Sequence, residues 1–94
     1  MDLQVSGKVA LITGSNRGIG KATAITLSKE GVNIALLARN KDLLAQTKKE
    51  ISEISPNIKV EYFICDTKSN DEVQETVENI EKTFGTIDIL VNCA

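Results

Sequence analysis

The sequence predicts an α/β fold, a doubly wound parallel sheet with element order βαβαβαβ. Three observations predict it. Short, nearly continuous apolar runs recur along the chain, as in strands buried on both faces. Between them lie longer stretches whose apolar residues keep helical spacing. Cap and turn residues then punctuate the boundaries. Strands that alternate with helices in this way form parallel sheets with right-handed crossovers and helices on both faces. The expected strand order is 3-2-1-4. Its reversal between the first and fourth strands opens a crevice at their carboxyl ends.

The first strand is KVALIT, Lys8–Thr13. From Gly18 a helical spacing takes over, with Ile19, Ala22, Thr23, Thr26 and Leu27 on one face, and Gly31 suits the stop of that helix. VNIALLA, Val32–Ala38, is the second strand. Asn40 can cap the next helix, whose apolar face is expected at Leu44, Thr47, Ile51 and Ile54. Ser55-Pro56-Asn57 breaks it, and IKVEYFIC, Ile58–Cys65, reads as the third strand. Ser69 and Glu72 have the spacing of a capping box before a third helix, with a stripe of Val73, Val77, Ile80 and Phe84 and a stop at Gly85. IDILVN, Ile87–Asn92, is the fourth strand. Gly14, Ala38, Asp66 and Asn92 therefore lie at or just after the ends of four strands and are expected to face one crevice.

Composition excludes several function classes. A chain of 94 residues fits one small domain. A net charge of −2, with basic residues scattered, gives no electrostatic case for nucleic acid. No apolar run approaches the roughly 20 residues of a bilayer span, and no secretory leader is readable at the N-terminus, so a cytoplasmic protein without membrane contact is expected. The chain has no histidine, which removes Ser-His-Asp and Cys-His catalysis and histidine-containing zinc sites from these residues. No metal site is expected. Cys65 and Cys93 are too few for a disulfide framework and read as small strand-end residues. Lys21, the Lys48-Lys49-Glu50 run and the Glu72, Glu75 and Glu78 charges read as exposed or solvated helix faces.

The chemistry is concentrated in TGSNRGIGK, Thr13–Lys21. A nucleoside-triphosphate loop needs G-x-x-x-x-G-K-[ST]. With Gly20-Lys21 fixing the register, Ser15 stands where that motif needs glycine and Ala22 where it needs a hydroxyl. A dinucleotide loop instead follows a strand and opens a helix, which is the context here. Gly14 lets the chain turn off the strand. Gly18 and Gly20 let backbone approach a ligand and let the helix pack close. The N–H groups of Gly18, Ile19 and Gly20 then face a pyrophosphate at the helix N-terminus, and Ser15 and Asn16 can add side-chain hydrogen bonds. A tight βα turn with no ligand accounts for Gly14, but not for three glycines and two small polar residues together.

These residues resemble the TGxxxGxG cofactor motif of the short-chain dehydrogenase/reductase family. GKVALITG is similar to that family's first strand, and DILVNCA, Asp88–Ala94, resembles its NNAG segment, with Cys93 in place of the second asparagine. Within that family the chain resembles bacterial 3-oxoacyl-[acyl-carrier-protein] reductases and related oxidoreductases. The resemblance implies a Rossmann-type NADP- or NAD-binding fold and carbonyl/hydroxyl interconversion by hydride transfer on a small carbonyl or alcohol substrate, in a homo-oligomer. It also implies adenine contact at Asp66, a backbone role for Thr67, and ribose or nicotinamide-side contact at Asn92. Asp66 equally suits a plain turn before TKSND, and Asn92 a strand-end hydrogen bond.

NAD-preferring sites place a carboxylate at the end of the second strand. Here that end is Ala38 followed by Arg39, so nothing repels a 2′-phosphate, and Arg39 offers it a bidentate fork. Arg17 reaches from the loop. NADP is therefore the expected cofactor, although both arginines also fit solvated loops. Asp42 falls in the first turn of the next helix, where it favours the dipole.

The family's serine and Y-x-x-x-K pair do not occur in these residues: Tyr62 is followed four residues on by Asp66. No catalytic residue is assigned. Residues 1–94 are expected to be the NADP-binding portion of a single-domain oxidoreductase, with the C-terminal half of the fold absent. The alternative is a non-catalytic dinucleotide-binding module of this length.

Overall fold

A computed structural model of the protein describes residues 5–14, 18–66 and 68–93. The elements are β1 (Val9–Thr13), α1 (Gly18–Lys29), β2 (Asn33–Ala38), α2 (Lys41–Ile54), β3 (Val60–Ile64), α3 (Asn70–Phe84) and β4 (Ile89–Asn92). All three strand pairings are parallel, and the order across the sheet is β3-β2-β1-β4, as the alternation of periodicities requires.

Successive residues of a strand point to opposite faces, and the core divides accordingly. Ala10, Ile12, Ile34, Leu36 and Ala38 face α1 and α2, where they meet Ala24, Leu44 and Ile51. Leu11, Ala35 and Leu37 face α3 and meet Ile80, with Val73, Val77 and Phe84 packed around them. Burial on both faces is the reason β1 and β2 read as unbroken apolar runs.

The buried face of α1 differs from its expected stripe. Ile19 is 78% exposed, and Ala22 and Thr26 are exposed as well. While Leu27 of the expected stripe is half-buried against the core, the helix fully buries Gly20, Ala24 and Ser28 instead. These are small residues at i, i+4 and i+8, which let the helix lie close to the sheet and to α2. The polar member is satisfied: the Ser28 hydroxyl donates to the Ile25 carbonyl at 2.7 Å and lies 3.0 Å from the Ser55 hydroxyl. In α2, Leu44, Thr47 and Ile51 are buried as the period predicts, but Ile54 is 46% exposed because the helix ends there. Thr47 donates to the Leu43 carbonyl at 2.9 Å, so its hydroxyl is not orphaned.

The caps follow the sequence. Asn40 accepts the Leu43 N–H at 3.1 Å, and Ser69 accepts the Glu72 N–H at 3.3 Å. Gly85 closes α3 with its N–H on the Glu81 carbonyl at 2.7 Å. All four strands are shorter than their apolar runs, β1 and β2 by one residue at the start and β3 and β4 by more. Ile58 turns its N–H back to the Ser55 carbonyl at 3.4 Å, so β3 starts later. At β4, the Asp88 carboxylate accepts the Val9 N–H at 2.9 Å, replacing a backbone partner, and the regular ladder begins at Ile89.

Some surface charges also differ from solvated faces. Lys21 is half-buried and pairs with Glu50 at 2.6 Å, tying α1 to α2. Lys48 pairs with Glu61 at 3.1 Å and sits 5.8 Å from the centre of the Tyr62 ring, tying α2 to β3. At this exposure each pair contributes about 0–1 kcal/mol. Among the described residues no helix is long and apolar enough to cross a membrane.

Candidate functional site

The parallel register aligns the strand ends. Leu37, Thr13 and Asn92 are partners across β2, β1 and β4, and Ala38 partners Ile64 of β3. The residues that follow, Gly14, Arg39 and Cys65-Asp66, emerge on the same edge of the sheet as Asn92. Backbone bonds continue past the strands and hold this edge: Gly14 N–H to Leu37 O at 2.9 Å, Cys65 N–H to Ala38 O at 2.9 Å, and Cys93 N–H to Thr13 O at 3.2 Å. The crevice expected from the order reversal therefore lies between β1 and β4.

Gly14 and Gly18 flank residues 15–17 and both have positive φ, 67° and 62°. This left-handed backbone disfavours other side chains. A Cβ built on Gly18 meets nothing within 4 Å among the described residues. The first turn of α1 holds no acidic residue, whereas α2 carries Asp42 and α3 carries Asp71 and Glu72 in theirs. No carboxylate of its own first turn therefore offsets the positive dipole end of α1. Gly20 is buried within α1. Exposed Ile19 stands in the same first turn.

Arg39 follows β2 directly and precedes the α2 cap Asn40, which fixes its backbone at the sheet edge. Its side chain is exposed, and among the described residues no carboxylate pairs with it. Asp66 makes the turn that its sequence allows: its Oδ1 accepts the Lys68 N–H at 3.0 Å. At β4, the Thr13 hydroxyl donates to Asn92 Oδ1 at 2.9 Å and approaches the Val91 carbonyl at 3.5 Å. This bond sets the orientation of the Asn92 amide.

Of the predicted site residues, the structure brings Gly14, Gly18, Ile19, Gly20, Arg39, Asp66 and Asn92 to one edge. Ser15, Asn16, Arg17 and Thr67 lie outside the described residues. Two contributors were not singled out from sequence. Thr13 belongs to the loop motif, but its role depends on the β1–β4 register. Glu72 was grouped with solvated charges, yet its Oε1 accepts the Asp66 N–H at 3.0 Å. The capping-box spacing hinted at a structural role for it, with a different partner. Tyr62 is remote in kind: it packs against the core on the α1/α2 face.

A parallel sheet of order β3-β2-β1-β4 with helices on both faces is a Rossmann-type fold. Comparison with known proteins agrees. A family model described as short chain dehydrogenase matches residues 8–94. The chain belongs to the short-chain dehydrogenase family. A probable 2,4-dienoyl-CoA reductase of Caenorhabditis elegans is 44% identical over 99% of this chain and 30% of its own length. L-sorbose reductase from Gluconobacter frateurii, solved with NADPH and L-sorbose, is 41% identical, with a TM-score of 0.94 over 100% of this chain and 35% of its own. An NAD+-bound xylitol dehydrogenase is 37% identical, with a TM-score of 0.88 over 93% of this chain and 33% of its own. The chain thus spans about a third of the length of each of these relatives.

Proposed function

We propose that residues 1–94 are the NADP(H)-binding part of an oxidoreductase that interconverts a carbonyl and an alcohol. The observation that carries the cofactor reading is the pairing of an acid-free helix N-terminus at Gly18 with an unopposed Arg39 on the adjacent strand end. The α1 N–H groups and the backbone between Gly14 and Gly18 would hold the pyrophosphate, with Ser15, Asn16 and Ile19 beside it. Arg39 and Arg17 would take the 2′-phosphate. Asp66 and Thr67 would border the adenine, and Asn92, oriented by Thr13, the ribose on the nicotinamide side. When bound, NADPH supplies the hydride; these residues bind and orient it.

The substrate reading rests on the family and on likeness to reductases of an acyl-CoA and of a sugar. It is a small carbonyl compound or its alcohol, with 3-oxoacyl thioesters the first class to assay and a homo-oligomer the expected assembly. The test is a titration of the full protein with NADPH and NADH. NADPH should bind at least about tenfold more tightly, since a charged bidentate pair is worth about 1.5–3 kcal/mol. Arg39→Asp should reverse the order. Equal or tighter NADH binding by the unaltered protein would overturn the preference.

A further inference from the structure

Glu72 is placed to do more than start a helix. In a reciprocal capping box the glutamate takes the N–H of the capping residue itself. Here the Ser69 N–H is already bonded to the Asp66 carbonyl at 3.1 Å. Glu72 therefore reaches past Ser69, and its Oε1 accepts the Asp66 N–H at 3.0 Å. Its own N–H is held by Ser69 Oγ, so the first turn of α3 presents the carboxylate from a fixed base. Asp66 is then held at its N–H by Glu72, at its carbonyl by Ser69 and at Oδ1 by Lys68. Among the described residues Oδ2 carries no hydrogen bond.

We propose that Glu72 is a positioning residue for the adenine half of the cofactor site, acting through the Asp66 turn. The inference rests on the reading that Asp66 borders the adenine. Without the Glu72 acceptor the Asp66 N–H loses its partner, the turn samples other conformations, and affinity falls by the fraction of time the competent turn is lost. The nicotinamide half, at β1 and β4, is unaffected.

The probes are 5′-ADP, which NADP and NAD share, and reduced nicotinamide mononucleotide, each titrated against the full protein. Glu72→Ala should raise the Kd for 5′-ADP by about three- to tenfold and leave mononucleotide affinity, and kcat at saturating NADPH, unchanged. Glu72→Gln keeps an accepting oxygen and should stay within about twofold of the unaltered protein. Should Glu72→Ala fail to fold, Glu72→Asp, one methylene short of the Asp66 N–H, carries the same expectation. Unchanged 5′-ADP affinity in these variants, beside a loss in Asp66→Ala, overturns the positioning role and leaves the cofactor reading standing. A parallel loss of kcat, mononucleotide affinity and 5′-ADP affinity in both Glu72→Ala and Glu72→Gln also overturns it, as general damage. No effect of Asp66→Ala on 5′-ADP overturns the adenine reading and the inference with it.

Discussion

Gly18 shows how a single backbone angle prepares the site. Its φ of 62° lies where a side chain is strained, yet a Cβ there would meet no neighbour within 4 Å. The penalty of substitution is therefore conformational rather than steric. Gly18→Ala should cost about 1–2 kcal/mol, seen as a lower Tm and weaker cofactor binding, while Gly18→Asn should lose less because Asn tolerates the left-handed region. An alanine variant as stable as the unaltered protein would show that the loop relaxes out of this conformation. The glycine pattern was legible in sequence because such angles select glycine. The roles of Thr13 and Glu72 were not, because each depends on where a partner falls after folding. Thr13 meets Asn92 only through the parallel register, and Glu72 finds Asp66 only because Ser69 is already engaged.

Among the described elements, α3 alone packs on its face of the sheet. Ile80 is fully buried against Leu11, Ala35 and Leu37. Ile80→Ala should destabilise the protein by about 2–5 kcal/mol in chemical denaturation, through the cavity left among Leu11, Ala35 and Leu37. Ser69→Ala should cost about 1 kcal/mol through the lost cap. A loss below about 0.5 kcal/mol for Ile80→Ala would mean that α3 is loosely docked. The stripe of α3 was readable because its apolar residues are large. That of α1 was only partly legible: Leu27 packs on the core, but the fully buried positions are Gly20, Ala24 and Ser28. Close approach favours small residues, and a search for apolar bulk passes over them. Strand existence was legible throughout, while strand starts were not, since Asp88 and Ile58 divert backbone groups from the ladder.

At the scale of the whole molecule, two of the described helices cover one face of the sheet and one covers the other. Leu90 points to the α3 face in register with Leu11, yet it is 67% exposed. With Val73, Val77 and Leu37 it lines an open apolar groove beside Asn92. β4 is also an edge of the described sheet. Exposed apolar edges of this kind invite association. The 94-residue segment taken by itself is therefore expected to unfold over a broad thermal transition and to self-associate, and Leu90→Lys should raise its solubility. A monomer with a sharp transition would contradict this.

The proposed site is tested by where the cofactor lies. The most direct measurement is a crystal structure of the full protein grown with NADP. It should show the pyrophosphate at the N-terminus of α1 between Gly14 and Gly18, the 2′-phosphate on Arg39, the adenine beside Asp66 and the nicotinamide end toward Asn92. A dinucleotide bound away from the β1–β4 crevice, or one whose 2′-phosphate points to solvent with Arg39 uninvolved, would contradict it.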